Sequence, residues 1–428
     1  MGESELTDFD ADQRLLAMDG VSLVIFTSVG CASCRYAREV LPGMPLAIDR
    51  LCWIDAGNNG GLVERYQVFH LPALFVVRDG EFFGAVHARL TVAELNQAVA
   101  QALGRCRGVA MSETASKPVV GIIGTGAIGG FYGVMLARAG FDVHFLLRSE
   151  FSAVAERGLQ INSAVHGVLT LNPANVYRAA EDMPPCDWLL VGTKTTSNAG
   201  LAPAIIQAAK SDAKVLLLQN GLDVEDSLRP LLPDSLHLLG GLCLICVNRE
   251  GPGQITHQAL GAVNVGYHSG PAIDEVARMA IVEEGAGLFR AAGIESQAMA
   301  NLHQARWQKL VWNIPYNGLS VLLGAGTEVL MADADSRMSI QALMAEVVQG
   351  AKACGYEIPP GYAEYLFTMT EKMPDYWPSM YHDFSHKRPL ELEAIYARPL
   401  AAAKAAGCEL PRIEALYRHL GFIDRRNI

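Results

Sequence analysis

The sequence predicts an α/β protein that ends in an all-helical segment, and three observations lead to this prediction. An apolar run from Val119 enters a glycine-rich turn and continues into a helical pattern. Strand and helix patterns also alternate before this turn, and from about Gln297 apolar residues follow helical spacing almost to the C-terminus. We therefore expect an α/β domain at residues 1–108, a linker at 109–117, a second α/β domain at 118–295 and a helical domain at 296–428.

Composition narrows the function classes. The 428 residues are 50% hydrophobic and 18% charged, which is typical of a globular enzyme with several cores. The net charge of −11, without a basic run, argues against nucleic acid or a membrane surface as the main partner. No apolar stretch is long enough to span a bilayer, and the acidic N-terminus does not resemble a signal peptide. Together with nine scattered cysteines, these features predict a cytoplasmic protein.

The central motif is the turn Gly124-Thr-Gly126-Ala127-Ile128-Gly129. The first glycine allows a tight turn, the second allows a pyrophosphate to approach the backbone, and the third lets the helix pack on the strand. The exposed N–H groups at the start of that helix would then face the anion. The sequence thus predicts a Rossmann-type domain in which Gly124, Gly126, Ala127, Ile128 and Gly129 bind a dinucleotide.

Three polar side chains follow predicted strands of this domain. Arg148 comes after the strand at 142–147, where NAD-selective folds usually carry an acidic residue. A basic residue there suits the 2′-phosphate of NADP, although Glu150 is close by. Lys194 and Asn220 also follow strands, and ligands of doubly wound sheets bind beyond the carboxyl ends of the strands. We therefore predict NADP(H) as the cofactor, with Arg148, Lys194 and Asn220 among its binding residues.

The N-terminal domain carries two cysteines, Cys31 and Cys34, after a strand at 21–27. The dipole of the following helix would stabilise a Cys31 thiolate, and Cys34 could resolve a mixed disulfide. This pair, with Leu71-Pro72 ahead of the next strand, resembles the thioredoxin-like domains over residues 1–108. The resemblance implies a cis-proline at Pro72.

Three positions depart from the thioredoxin pattern. Gly30 replaces the usual tryptophan, Ser33 replaces the proline inside the cysteine pair, and Ile25 replaces a buried acid. Two interpretations therefore stay open. Either Cys31 and Cys34 are redox active towards a thiol partner, or the domain is inherited and now binds a partner or mediates dimerisation.

A second cysteine pair, Cys243 and Cys246, lies in an apolar run that reads as a strand. Residues three apart in a strand point to opposite faces, so these thiols cannot easily chelate an ion or pair. We expect both to be buried structural cysteines, and we predict no metal site in the chain.

The candidate catalytic face lies in the stretch 306–323. Lys309 and Asn313 are one helical turn apart, and Asn317 continues the same face. Because apolar residues flank this polar stripe, we expect Lys309 to face a cavity, where desolvation would lower its pKa into the range of a general acid.

This stretch resembles the K-x-x-x-N-x-x-x-N helix of the ketopantoate reductases (2-dehydropantoate 2-reductases), and the resemblance extends over about residues 118–425. It includes the glycine turn, Lys194, the Gln219–Gly221 turn, and a late segment with Ser379 and Glu391. The resemblance implies NADPH-dependent reduction of a 2-oxo acid, with ketopantoate, the pantoate precursor of pantothenate biosynthesis, as the best single substrate. It also implies a possible homodimer.

The same resemblance implies roles for the site residues. Lys309 would be the general acid, and Glu391 would position Lys309 by an ion pair or hold the substrate. The implied substrate-binding residues are Asn313, Asn317 and Ser379.

One departure and two alternatives remain. Pro315 lies between Asn313 and Asn317 and would kink the helix, which leaves the placement of Asn317 open. The alternatives to the ketopantoate reductase interpretation are an NADP-responsive redox regulator and a thiol-controlled reductase of a different 2-oxo acid.

Overall fold

The computed structural model describes residues 2–28, 32–66, 68, 71–86, 88, 90–108 and 117–427. The chain divides into two compact units, Met1–Ser116 and Lys117–Ile428, each with its own apolar cores. Cys31 and residues 109–116 of the predicted linker lie outside the described residues.

The first unit is a five-stranded sheet with helices on both faces. Its strands have the order β1-β3-β2-β4-β5, in which β1, β3 and β2 are parallel and β4 and β5 are antiparallel to their neighbours. The elements in chain order are β1 (Gly2–Leu6), α1 (Ala11–Leu16), β2 (Val21–Thr27), α2 (Ala32–Val40), β3 (Arg50–Asp55), α3 (Gly60–Arg65), β4 (Ala73–Arg78), β5 (Glu81–Val86) and α4 (Val92–Gly108).

Strand β2 is apolar throughout because both of its faces are covered. Leu23 and Ile25 belong to a core with residues of α2 and α4, whereas Val24 and Phe26 belong to a core with residues of α1 and α3. The period of two in a strand separates the two cores. The Leu71–Pro72 peptide bond just before β4 is cis, as the sequence resemblance implies.

The second unit is built on a ten-stranded mixed sheet. The strand order is β10-β7-β6-β11-β12-β13-β14-β8-β9, and β15 pairs with β14. These strands are β6 (Val119–Ile123), β7 (Asp142–Leu146), β8 (Leu159–Ser163), β9 (Gly167–Leu171), β10 (Asn175–Tyr177), β11 (Cys186–Val191), β12 (Ala209–Leu217), β13 (His237–Gly251), β14 (Gln254–Ser269) and β15 (Ala298–Met299). The helices between them are α5 (Ala127–Arg138), α6 (Phe151–Arg157), α7 (Ala202–Ala208), α8 (Val224–Leu228) and α9 (Glu275–Ala291).

The strand order reverses at β6. The chain runs from β6 to β7 on one side and later returns to β11 on the other, and all three strands are parallel. A crevice therefore opens beyond the carboxyl ends of β6 and β11, which is where doubly wound sheets bind ligands.

Strand β14 contains an irregularity. Leu260 and Gly261 have positive φ angles, and the register of the β13–β14 ladder shifts at this point, yet the strand continues through it from Gln254 to Ser269. Helix α5, which follows β6 in the chain, begins at Ala127, directly after Gly126.

The remainder of the second unit is helical. Its helices are α10 (Leu302–Leu323), α11 (Thr327–Ala332), α12 (Ala334–Ala353), α13 (Tyr362–Lys372), α14 (Ser379–Ser385), α15 (Arg398–Ala405) and α16 (Pro411–Asn427), with a π-helical turn at Glu393–Ala397. Helix α10 is the central one and packs against α12, α14 and α16. Among the described residues, none of the helices combines the length and hydropathy that a membrane span requires.

Candidate active site

The glycine turn joins β6 to α5, and its three glycines, Gly124, Gly126 and Gly129, have different structural roles. Gly124 has φ = 90°, and a Cβ there would lie 2.7 Å from the backbone nitrogen of Thr193. Gly129 packs directly on the carbonyl of Gly124, so a side chain would push α5 away from β6. A Cβ on Gly126 would meet nothing within 4 Å. The space beside Gly126, at the positive end of the helix dipole of α5, is thus open to an anionic ligand.

The end of β7 carries Arg148 and Glu150, which differ in burial. Glu150 is buried, accepts a hydrogen bond from the backbone N–H of Gly253 at 3.0 Å and forms an ion pair with Arg249. These contacts tie the Glu150 carboxylate to the β13–β14 hairpin. Arg148 is exposed, so of the two side chains the guanidinium is the one available to a ligand at this strand end.

Thr193 links the ends of three neighbouring strands. It follows β11, touches the turn after β6, and accepts hydrogen bonds from Gln219 Nε2, which follows β12, at its carbonyl (3.1 Å) and its hydroxyl (3.3 Å). The strand ends that the sequence singled out therefore lie side by side.

Lys194 bridges two carboxylates of the helical segment. Its Nζ lies 2.8 Å from Asp383 Oδ2 and 3.1 Å from Glu391 Oε2. The other oxygen of Glu391 accepts hydrogen bonds from the N–H and the hydroxyl of Thr195, both at 3.0 Å. Desolvation alone would lower the pKa of Lys194, but the two carboxylates outweigh it and raise this pKa above its ordinary value.

The turn that displays Asn220 is held by a buried arginine. Arg306 Nη1 donates to the carbonyls of Gln219 (3.1 Å) and Gly221 (3.0 Å), while its Nη2 pairs with Glu225. Both partners of this ion pair have side chains only 2% exposed. Asn220 itself is partly exposed beyond the end of β12.

One face of α10 carries Arg306, Lys309, Asn313 and Asn317, as the helical period predicts. Lys309 Nζ donates to the carbonyl of Cys243 on β13 at 2.5 Å. Desolvation lowers the pKa of Lys309 to about 8, with nearby Arg306 acting in the same direction. The direction of this pKa shift, and desolvation as its main cause, agree with the expectation from the sequence.

Asn313 and Asn317 use their buried amides differently. Within the part of the chain that the structure describes, Asn313 Nδ2 has no hydrogen-bond partner. Asn317 Nδ2 donates to the Asn313 carbonyl at 3.0 Å, and Asn317 Oδ1 accepts from the backbone N–H of Met380 at 3.1 Å. Asn313 is therefore the one with an amide donor left for a ligand, while Asn317 fixes the segment that carries Ser379, a partly exposed residue at the start of α14.

Pro315 does not break α10, which runs without interruption from Leu302 to Leu323. A proline removes one backbone hydrogen bond, but the helix is buried among α12, α14 and α16, and the hydroxyl of Tyr396 donates to the Ile314 carbonyl at 2.8 Å. Tertiary packing thus keeps Asn317 on the face that the spacing predicts.

The expected ion pair between Glu391 and Lys309 is not formed among the described residues. The Glu391 carboxylate is occupied by Lys194 and Thr195, whereas Lys309 donates to a backbone carbonyl. Glu391 still acts on Lys309 at a distance, since its charge is one of those that oppose the lowering of the Lys309 pKa.

Sequence reasoning missed Arg306 and Asp383. Arg306 lies three residues before Lys309 on the same helical face, and this spacing was a usable signal. Asp383 lies between Ser379 and Glu391, but no pattern in the sequence assigned it a role, because its partner Lys194 is remote in the chain. Cys243 and Cys246 are buried as expected, and burial raises the pKa of both thiols, to about 12 for Cys246.

These features define a class, an α/β oxidoreductase with a Rossmann-like sheet and a helical C-terminal domain. The models of the family "Ketopantoate reductase PanE/ApbA" and of its C-terminal part match residues 120–270 and 301–424. A 2-dehydropantoate 2-reductase of Nostoc sp. is 43% identical over 309 residues, which are 72% of this chain and 95% of the relative.

Solved structures agree. The 2-dehydropantoate 2-reductase of Geobacter metallireducens is 36% identical with a TM-score of 0.66, and the match covers 72% of this chain and 100% of that one. The 2-dehydropantoate 2-reductase of Methylococcus capsulatus is 33% identical with a TM-score of 0.63, and the match covers 72% of this chain and 97% of that one. The chain belongs to the ketopantoate reductase PanE/ApbA family and is an oxidoreductase that acts on a CH–OH group. Residues before 120 lie outside both family models.

Proposed function

We propose that this chain reduces ketopantoate (2-dehydropantoate) to pantoate with NADPH. The observation that carries the proposal is the pairing, on one face of α10, of Lys309, whose pKa is lowered to about 8, with Asn313, whose buried amide donor lacks a partner among the described residues. The family membership and the substrate named for the Nostoc relative support the same reaction.

The glycine turn and the end of β7 suit NADPH. Gly126 leaves open space at the N-terminus of α5 for a pyrophosphate, Ala127 and Ile128 place their N–H groups in the first turn, and Arg148 is exposed where a 2′-phosphate would lie. Glu150, the acidic residue that would favour NAD, is tied to Gly253 and Arg249. NADPH, when bound, supplies the hydride that adds to the C2 carbonyl carbon of the substrate.

The chain supplies the proton. Lys309 has three N–H donors and gives one to the Cys243 carbonyl, so two remain for the substrate oxygen. With its pKa lowered to about 8, Lys309 is largely protonated at neutral pH yet gives up its proton more readily than an ordinary lysine. As the carbonyl carbon accepts a hydride, the electrons of the C=O π bond move to oxygen, and the ammonium would stabilise this negative charge and transfer a proton to it.

The substrate is held by amide and hydroxyl groups. Asn313 Nδ2 donates to a substrate oxygen, which removes the cost of leaving this buried donor unpaired. Ser379 offers its hydroxyl, and Asn317 acts as a positioning residue by holding Met380. In this arrangement Glu391 positions Lys194. Lys194 and Asn220, which follow β11 and β12, would be the residues that meet the nicotinamide end of the cofactor.

The test is NADPH oxidation by the full chain with a panel of 2-oxo acids: ketopantoate, unbranched and branched aliphatic acids, and an aromatic one. Lys309→Ala is measured beside Lys352→Ala, an exposed lysine on α12. Turnover that is highest with ketopantoate, lost in Lys309→Ala and kept in Lys352→Ala supports the proposal. If turnover is highest with another acid, the substrate assignment changes and the proposed mechanism stands. Full activity of Lys309→Ala overturns the role of the lysine as the proton donor.

For residues 1–108 we propose a thioredoxin-like domain with Cys31 and Cys34 as a redox pair for a thiol partner. The strand order β1-β3-β2-β4-β5, the helices on both faces and the burial of Cys34 in α2 support this assignment. Trapping a mixed disulfide with a small disulfide probe in Cys34→Ser, and its absence in Cys31→Ser, tests the pair. Self-association stays a prediction, to be measured by sedimentation of the full chain.

A further inference from the structure

Three side chains with metal-binding atoms meet on the second unit, apart from the residues assigned to the reaction. They are Asp226 on α8, His268 near the end of β14, and His303 in the first turn of α10. One ligand atom of each residue lies within 4.8 Å of those of the other two. Asp226 is exposed and both histidines are partly exposed, so an ion can reach the group from solvent.

Two of the three atoms already stand at ligand spacing. His268 Nε2 lies 3.3 Å from Asp226 Oδ1. Two ligands of a tetrahedral zinc ion, each with a bond of about 2.0–2.1 Å, lie about 3.3 Å apart. His268 Nδ1 is 2.8 Å from the Ser269 hydroxyl, which matches the hydrogen bond that commonly orients a metal-bound imidazole through its second nitrogen.

The third ligand is partly ordered by stacking. The His303 ring stacks on Tyr356 with centroids 6.0 Å apart and an angle of 11° between the planes, and its centroid is also 6.0 Å from that of His268. A side-chain rotation of His303 that brings its ligand atom closer to the other two by at most about 1.5 Å would complete the tetrahedral spacing.

The surroundings favour a cation. Asp223 stands at the N-cap position of α8 without a capping hydrogen bond from its side chain, and it is partly buried; burial first, and then the charge of Asp226, raise the pKa of its carboxyl group. A divalent ion between the elements would relieve this repulsion. Of the positive charges that oppose this rise in pKa, Arg398 pairs with Glu393 and His303 is itself one of the three metal-binding side chains.

We propose that Asp226, His268 and His303 bind one divalent transition-metal ion of the zinc type, with the fourth position open to water. Two imidazoles and one carboxylate suit Zn²⁺, Co²⁺ or Ni²⁺ far better than Mg²⁺ or Ca²⁺. The ion would join α8, β14 and the start of α10, and α8 and α10 also carry the Glu225–Arg306 pair that holds the Gln219–Gly221 turn. Its role is therefore to stabilise the fold around the site, because ligand binding to the folded state alone raises stability. This inference goes beyond the proposed reaction and does not depend on it.

The test is a titration of the full chain, without an affinity tag and freed of metal with a chelator, with Co²⁺ followed by visible absorption and with Zn²⁺ followed by calorimetry. We expect saturation at one ion per chain and a tetrahedral Co²⁺ spectrum. Asp226→Asn, His268→Ala and His303→Ala should each weaken binding more than tenfold, and Ser269→Ala by about tenfold. His419→Ala, an exposed histidine on α16, serves as the matched control and should bind as the unchanged chain does.

Thermal unfolding separates this site from adventitious binding. Zn²⁺ should raise the unfolding temperature of the unchanged chain and of His419→Ala, but not that of Asp226→Asn, whose exposed side chain makes misfolding unexpected. Binding that survives in Asp226→Asn and His303→Ala, or a titration that does not saturate, overturns the proposal. Because none of these readouts needs turnover, a failed reductase assay leaves the metal site testable.

Discussion

Lys194 Nζ lies 3.1 Å from Glu391 Oε2, and this contact joins the end of β11 to the segment that precedes the π-helical turn. The same carboxylate accepts two hydrogen bonds from Thr195, so it has three donors from one strand end. Glu391 therefore links the helical domain to the sheet through contacts with Lys194 and Thr195. Lys309, the partner that the resemblance implied, is held elsewhere by the Cys243 carbonyl.

We predict that Glu391→Gln lowers the free energy of unfolding by about 1–3 kcal/mol, because a buried amide cannot satisfy Lys194 and both Thr195 donors at once. Denaturant unfolding measures the loss. Glu393→Gln is the control, since Glu393 is 69% exposed and pairs only at the surface with Arg398; its effect should stay below about 1 kcal/mol. Equal effects of the two substitutions would contradict the fastening role.

Lys309 should govern the alkaline limb of the pH–rate profile. A general acid must carry its proton, so kcat should fall about tenfold for each pH unit above the pKa of about 8. The kcat of Lys309→Ala should be about 10²- to 10⁴-fold lower than that of the unchanged chain. In Lys309→Arg the limb should disappear along with most of the activity, because a guanidinium does not release its proton in this range. An unchanged alkaline limb in Lys309→Arg would assign it to another group.

The same lowered pKa has a consequence for stability. The unfolded lysine keeps its proton up to the ordinary value of 10.5, whereas the folded one loses it near 8. The unfolded state therefore binds more protons between these values, and the Lys309 contribution to the free energy of unfolding should rise with pH in that window. Comparing the pH dependence of unfolding for the unchanged chain and Lys309→Met isolates this contribution; identical slopes would contradict it.

Two neighbouring glycines should respond differently to the same substitution. Gly126→Ala should change the free energy of unfolding by less than about 0.5 kcal/mol, since its Cβ meets open space, yet weaken NADPH binding at least about tenfold. Gly124→Ala should destabilise the fold by more than about 1 kcal/mol, since φ is 90° and the Cβ collides with Thr193. Thermal unfolding and NADPH fluorescence titration measure the two effects. Unweakened binding in a folded Gly126→Ala would argue against the proposed pyrophosphate site.

Arg148→Ala should raise KM for NADPH about 10- to 100-fold and leave KM for NADH nearly unchanged, because a charge-assisted contact to the 2′-phosphate is lost. Arg157→Ala, an exposed arginine at the end of α6, is the matched control and should leave both values unchanged. Should the two cofactors respond equally to Arg148→Ala, the side chain would not be the one that distinguishes them.

Much of the site follows from local patterns. The glycine spacing and the apolar run before it define the β6–α5 turn, and the helical period places Lys309, Asn313 and Asn317 on one face of α10. Such patterns involve residues within a few positions of one another, so strand and helix geometry alone relate their side chains. Pro315 is the exception, because a local rule predicts an interruption of the helix, whereas α10 continues through this buried residue from Leu302 to Leu323.

The sequence by itself therefore determined the order of the α/β and helical segments, the glycine turn and the polar face of α10. Only the tertiary structure decided that Glu391 fastens Lys194, that Glu150 turns to the β13–β14 hairpin, and that Asp226, His268 and His303 meet. Each of these contacts joins elements far apart in the chain. Which side chains meet across such distances depends on how the sheet and the helices pack, and the spacing of residues along the sequence does not predict it.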